Sequence, residues 1–268
     1  MFLLMLSLLA VNPPADSNKS QVLSLAAGPA WHHRYDQNVG ALWERSRSWS
    51  MLQFDLTTQK KTQRQHFSLS GASFSDPSSR FPFGFNDTVI TAAAANFVFL
   101  RQSFELLQQL QTPIQLPKIW LGGYQHFELG ALFHGHAFST FGYLHQFHIG
   151  LAATMQQALG KKCKLEASLQ FPLLLWVARS PYALNDDDFI QRQSSHNALR
   201  TLAATFSDGG LAAPWQYPQM RLEASGLWQI SARFQLGILW RYWHQQSKQM
   251  LPLAVNEQAI MLKGGWKW

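Results

Sequence analysis

From Ala259 to Trp268 the chain alternates between two kinds of side chain. Ile260, Leu262, Gly264, Trp266 and Trp268 fall on one face, and Met261, Lys263, Gly265 and Lys267 on the other. Side chains of a strand point to opposite faces in turn, so this run predicts a strand with one greasy side. The same period of two recurs along the chain. Leu52, Phe54 and Leu56 oppose Gln53, Asp55 and Thr57, and Phe67, Leu69 and Gly71 oppose His66, Ser68 and Ser70. Phe127, Leu129, Ala131 and Phe133 oppose Glu128, Gly130, His134 and His136. Phe147, Ile149, Leu151, Ala153 and Met155 oppose His148, Gly150, Thr154 and Gln156. After the turn Leu159-Gly160-Lys161-Lys162 come Leu165, Ala167, Leu169 and Phe171, opposite Lys164, Glu166, Ser168 and Gln170, the clearest hairpin in the chain. Met220, Leu222, Ala224 and Trp228 oppose Arg221, Glu223 and Ser225, and Phe234, Leu236, Ile238, Trp240 and Tyr242 oppose Arg233, Gln235 and Arg241.

Together with strands over 21–33 and 40–57, and a fourth from near Thr88 to Phe99, the pattern gives about ten strands. Two stretches break it. Leu100, Phe104, Leu107 and Leu110 fall at helical spacing, which predicts a short amphipathic helix over Phe99 to Leu110 at one rim. The segment 179–218 loses the alternation and reads as a long loop with some local helix. A hairpin hidden over Leu199 to Phe206 would raise the count to twelve. Short turns at 58–63, 159–162 and 229–232 then share one side, and the long connections 76–86, 179–218 and 244–257 share the other. The fold class is all-β, an antiparallel up-and-down arrangement of neighbouring strands.

Composition decides where such a sheet lives. Of 268 residues, 47% are hydrophobic and 14% charged, the latter well under the ~25% of ordinary soluble domains. There are 11 Trp and 19 Phe, yet mean hydropathy is −0.14. Half-greasy, half-wet strands give that combination. An open soluble sheet alternates too, but three features favour a membrane: aromatics near strand ends (Trp120, Trp228, Trp240, Tyr242, Trp266, Trp268), an aromatic final residue, and the start of the chain. Phe2 to Val11 is an apolar block too short to span a bilayer, followed by Asn12-Pro13-Pro14. It reads as a secretory signal peptide over 1–15, leaving 16–268 as a single barrel domain. No Lys or Arg precedes the block, and no Cys follows it at the cleavage candidates Ala10 and Ala15. No apolar run approaches ~18 residues, so strands rather than a helix must do the crossing. In lipid every backbone polar group needs a partner within the protein, so crossing strands must close into a ring.

The terminal strand resembles the closing-strand signal of Gram-negative outer-membrane β-barrels. Ile119-Trp120-Leu121-Gly122-Gly123, Phe171-Pro172-Leu173-Leu174, Arg179-Ser180-Pro181-Tyr182 and Trp240-Arg241-Tyr242-Trp243 are similar to stretches of a group of outer-membrane barrel proteins without an assigned activity. The resemblance covers about half the chain. It implies a transmembrane barrel in the cell outer membrane, porin-like in its wall. Outer-membrane lipid and lipopolysaccharide are then its surroundings, and the barrel-assembly machinery engages the C-terminal strand.

Candidate chemistry is sparse. Charge is +7 with pI about 9.7, but Lys and Arg are scattered, so nucleic acid is not an expected partner. The lone Cys163 allows no internal disulfide and reads as a small strand residue. His134 and His136 share a strand face with Glu128, and His148 is on the wet face of the next strand. With Ser139 they are weak catalytic candidates for a lipid-modifying hydrolase; a His pair lining a polar lumen is the simpler account. Asp186, Asp187 and Asp188 offer hard oxygen ligands of the kind calcium takes, though a solvated acidic loop is the preferred reading, and no metal or cofactor is expected. Lys164, Glu166, Arg221, Glu223, Arg233 and Arg241 carry both signs on the wet face and form an expected lumen network. A ten-strand barrel is little wider than those that side chains fill. The expectation is therefore a structural, adhesive or accessory barrel without enzymatic activity, with a lipid-modifying hydrolase or a small channel for anionic solutes as alternatives.

Overall fold

A computed structural model describes residues 19–36, 40–75, 81–85, 88–92, 95–111, 117–134, 140–179, 198–207, 209–247 and 252–268. The strands are β1 (Ser20–Asp36), β2 (Gly40–Gln59), β3 (Gln63–Ser75), β4 (Phe81–Phe85), β5 (Thr88–Ala92), β6 (Ala95–Gln109), β7 (Lys118–His134), β8 (Thr140–Leu159), β9 (Cys163–Arg179), β10 (Gly210–Ala212), β11 (Gln219–Gln229), β12 (Phe234–Ser247) and β13 (Leu253–Lys267). One helix, α1, covers Ala198–Ser207.

Ten strands form the wall in the order β1-β2-β3-β6-β7-β8-β9-β11-β12-β13, each antiparallel to its neighbours. β13 pairs back onto β1, from Val22↔Lys267 to Asp36↔Leu253, so the sheet has no open edge. β4 and β5 form a separate hairpin, and β10 pairs with β9 beyond the end of its ladder with β11. No described helix is long and apolar enough to cross a membrane; the strands make the crossing.

Exposure along the strands is inverted relative to a water-soluble barrel. Outward positions are large and apolar, with Leu25, Leu52, Leu151, Ile238 and Leu262 each more than half exposed. Inward positions are polar and closed off, among them Asp55, Arg101, Glu128, Arg241 and Glu257. An apolar surface on nearly every strand has no reason to persist in water, and it suits hydrocarbon. Aromatics sit at the margins of this belt. Trp228, Trp266 and Trp268 are exposed at the end that carries the short turns, and Trp240 stacks on Tyr242 further along (centroids 6.2 Å apart). From Phe234, opposite Trp266, to Tyr242 is eight residues of β12. At ~3.3 Å per residue and a ~40° tilt that is about 20 Å, near the ~25 Å apolar band of a membrane barrel. Strands such as β2 and β8, each 20 residues long, exceed the ~10 residues needed to cross and run on past the belt.

Several expectations change. Phe99 to Leu110 is strand for nearly all its length, within β6, not a helix. Its ladder to β3 runs from Gln63↔Gln108 to Ser75↔Asn96, and β7 occupies the other side. A helix here would leave the facing edges of β3 and β7 open to lipid, so ladder closure overrides a helical spacing of four apolar residues. The wall strand is β6 from Ala95, whereas Thr88–Ala92 belongs to the β4–β5 hairpin. Residues 198–207 are helical, so no hairpin is hidden there. Phe206 of α1 stacks on Trp176 (5.5 Å) and Phe127 (6.0 Å), which fixes the helix against β7–β9. Trp120 is not a girdle residue: it is 0% exposed and points inward. The apolar block at residues 2–11 and the triplet Asp186–Asp188 lie outside the described residues.

At the turn end, Gly160 takes φ 70° between β8 and β9, a conformation that favours glycine. Gly150 serves a different need. A Cβ there would collide with the Phe171 carbonyl and Pro172 of β9, at a register shift in the β8–β9 ladder.

Candidate functional site: the filled lumen

Alternation delivers polar side chains to the barrel interior at every level. Towards the turn end, Arg64 forms an ion pair with Glu166 across the lumen, and Lys164 Nζ lies 3.1 Å from the same carboxylate. Gln156 donates to Glu166 at 3.0 Å. Lys263 Nζ donates to Asp55 at 2.7 Å, and Gln53 donates to the other Asp55 oxygen at 2.9 Å. Gln170 donates to Glu105 at 2.5 Å.

The middle layer centres on Arg101. Its Nε lies 2.8 Å from Glu128, its Nη1 lies 2.7 Å from Glu257, and its guanidinium stacks on Phe99 (3.7 Å) and Trp243 (4.1 Å). Arg241 donates to Gln53 (3.1 Å) and Ser70 (3.2 Å), with Glu257 at 3.7 Å. Arg221 holds Glu223 through Nε and Nη2, at 3.2 and 2.5 Å. Towards the loop end an amide network follows. His148 donates to Gln146 (2.8 Å), as does Gln219 (2.9 Å); Gln146 donates to Gln245 (3.0 Å), and Gln245 to Tyr217 (2.8 Å).

The cations Arg64, Arg101, Lys164, Arg221, Arg241 and Lys263 thus lie among the carboxylates Asp55, Glu105, Glu128, Glu166, Glu223 and Glu257, and two further arginines, Arg34 and Arg179, are buried as well. Burying a charge is costly unless it is paired, and these ion pairs supply that compensation for the groups they join. Apolar side chains seal the layers: Leu107, Trp120, Tyr124 and Ala152 towards the turns, and Met51, Phe74, Phe97, Leu239 and Met261 above them. The cavities found inside among the described residues are small. One cavity of about 20 Å³ lies among Arg64, Glu105, Glu166, Glu223 and Lys263, and one of about 10 Å³ among Tyr124, His126, His148, Arg221 and Trp243. A single water needs ~10–15 Å³.

Of the residues singled out from sequence, Lys164, Glu166, Arg221, Glu223 and Arg241 sit in this network. Arg233 does not: it lies in the exposed turn before β12, one residue short of the strand. Trp228, Trp240, Trp266 and Trp268 are exposed on the outer surface and Tyr242 is half-buried beside Trp240. His136 and Ser139 lie outside the described residues, and of His134 only the backbone is described, pairing with Thr140. His148 faces His126 directly across the β7–β8 ladder, with ring centroids 5.2 Å apart. Among the described residues no group of three or more His, Cys, Asp or Glu is placed to hold a metal ion. Sequence reasoning missed Arg101, Glu105 and Glu257 as members of the network. The first two fell in the stretch read as helix, and Glu257 in a stretch read as loop. Arg101-x-Ser103-x-Glu105 held the signal, since one period of two places all three on the wet face.

No family model matches the chain, and no curated protein matches it. Solved structures with similar architecture include Neisserial surface protein A (8% identity, 93% of this chain and 97% of that one, TM-score 0.41). The outer membrane protease OmpT from Escherichia coli is another (6% identity, 94% and 96%, TM-score 0.49). A third is the translocator domain of the autotransporter NalP from Neisseria meningitidis (9% identity, 97% and 91%, TM-score 0.40). The classification rests on the chain's own features. A closed antiparallel ring, an apolar belt outside and a polar, ion-paired interior define a transmembrane β-barrel of the outer-membrane type.

Proposed function

We propose that this protein is an integral, non-conducting barrel of the outer membrane with a structural, adhesive or accessory role. Its short turns face the periplasm, and the 179–218 segment faces outward. The observation that carries the reading is the filled lumen. Charge-paired side chains cross the bore at successive levels, and the cavities between them are water-sized. Such an interior supports a rigid wall that displays its long strand extensions, and it weighs against a channel for anionic solutes. The two longest connections, 76–94 and 180–218, leave one end while the turns 60–62, 160–162 and 230–233 leave the other, which supports the orientation; the expected long connection 244–257 is largely strand, in β12 and β13.

The test is conductance in a planar bilayer. Purified, folded protein inserted at single-molecule density gives no ohmic steps across 0.1–1 M KCl on this reading, a range over which the screening length falls about threefold. Stable steps from the wild-type protein would overturn it in favour of a pore.

A further inference from the structure

At the turn end the lumen opens into a recess of about 510 Å³, lined by Ser20, Gln59, Lys60, Lys61, Thr62, Gln109, Gln111 and Lys118. It is by far the largest of the cavities described above, and it falls in the 300–1,000 Å³ range typical of small-molecule sites. Alternation aims it along the barrel axis. Gln59 is in step with inward Asp55, Gln109 with Leu107, and Lys118 with Trp120. Two residues further in on the same faces, Leu107 and Trp120 are buried in an apolar cluster. The recess is therefore a cup that lies over packed side chains on this side of the barrel.

Its chemistry is one-sided. Lys60, Lys61 and Lys118 line it, none of the lining residues is acidic, and no carboxylate pairs with these ammonium groups among the described residues. The other turns at this end, 160–162 and 230–233, carry Lys161, Lys162 and Arg233 and again no Asp or Glu side chain. The nearest carboxylates on the strands that line it, Asp55 and Glu105, are engaged deeper in the lumen, Asp55 with Lys263 and Glu105 with Gln170. Deeper in the lumen Arg64, Arg101, Arg221 and Lys263 each pair with a carboxylate. At this cup no carboxylate among the described residues supplies the matching anion. Five uncharged polar side chains supply further hydrogen-bond partners around the three ammonium groups.

We propose that this cup binds a soluble, phosphate-bearing polyanion from the compartment that the turns face. Lysine is a point-charge ligand for phosphate, and three such groups around one recess match a multivalent anion better than a monovalent one. Opening along the axis favours a soluble source over a lipid headgroup, which would approach from the side. The net charge of +7 adds attraction at long range.

The test uses full-length protein in nanodiscs of zwitterionic lipid, titrated with inorganic pyrophosphate by calorimetry at low and high salt. Two triple variants are compared. K60Q/K61Q/K118Q strips the cup, and K161Q/K162Q/K267Q removes the same charge from the same end outside it. Both are first shown to keep the folded gel band. The expected result is wild-type binding that weakens with salt, a loss of about tenfold or more in the cup variant, and little change in the control. Equal weakening in both variants would reduce the effect to bulk charge and overturn the site. No wild-type binding at millimolar pyrophosphate would overturn it as well. A parallel arm counts phosphatidylglycerol retained from mixed-lipid nanodiscs by native mass spectrometry. If only that lipid is retained, and the cup variant loses it, the soluble source is wrong and the ligand is a headgroup.

Discussion

Replacing Arg101 by alanine tests whether the interior is a desolvated, paired network. The guanidinium is 2% exposed and joins two carboxylates, Glu128 and Glu257, that are equally enclosed. Glu257 retains Arg241 at 3.7 Å and His32 at 3.6 Å after the change. Among the described residues the other ionisable neighbour of Glu128 within ion-pair range is His126, at the long distance of 4.0 Å. Breaking a buried pair by removing one partner costs about 3–5 kcal/mol. Loss of the stacking on Phe99 and Trp243 adds roughly 1 kcal/mol. The variant R101A is therefore expected to lose about 4–6 kcal/mol. The assay is reversible urea unfolding from phospholipid vesicles, followed by tryptophan emission. R101M/E128Q removes the stranded charge along with the cation, and it recovers half or more of the loss. The cost of R101A stays nearly constant between low and high salt, because ions do not reach the pair. A cost below about 1 kcal/mol, or one that fades with salt, would mean that the lumen is wet and the network surface-like.

Three other perturbations probe different parts of the account. Leu262→Arg places a charge on a side chain that is 68% exposed in the middle of the apolar belt. In vesicles it should cost about 2–4 kcal/mol by the same urea titration, and a change within ~0.5 kcal/mol would remove Leu262 from lipid. Trp120→Ala empties the apolar cluster beneath the cup and should cost about 3–5 kcal/mol, whereas the exposed Trp266→Ala should cost much less; comparable losses would contradict the inward placement of Trp120. Gly150→Ala forces a Cβ against the Phe171 carbonyl, and it should lower the folded fraction on a gel by the equivalent of about 1–3 kcal/mol. Wild-type folding yield in that variant would show that the β8–β9 contact is looser than described.

Much of this architecture was legible from period-two alternation. The β8–β9 hairpin, the inward set Lys164, Glu166 and Gln170, and the outward set of the last strand follow from the pleat alone. Where the reading failed, non-local pairing had overruled a local pattern. Leu100, Phe104 and Leu107 imitate a helix, but β3 and β7 require a strand between them. Trp120 looked like a girdle residue because it lies near a strand end, yet its parity with Tyr124 and His126 sends it inside. Long-range partners such as Arg101 with Glu257, 156 residues apart, depend on strand order around the ring. Alternation gives each residue its face, but it does not say which strands stand opposite across the lumen. The cup was invisible for the same reason: Lys60 and Lys61 come from the turn between β2 and β3, and Lys118 from the start of β7.

The central claim is a closed barrel with its apolar face in lipid. Gel mobility of detergent-folded protein, with and without boiling, tests it most directly. A ring closed by β1 and β13 should resist SDS in the cold and run as a compact band that shifts on heating, with β-rich circular dichroism before the shift. A single band unaffected by boiling, from protein that stays monomeric in water without detergent, would contradict both the closure and the membrane.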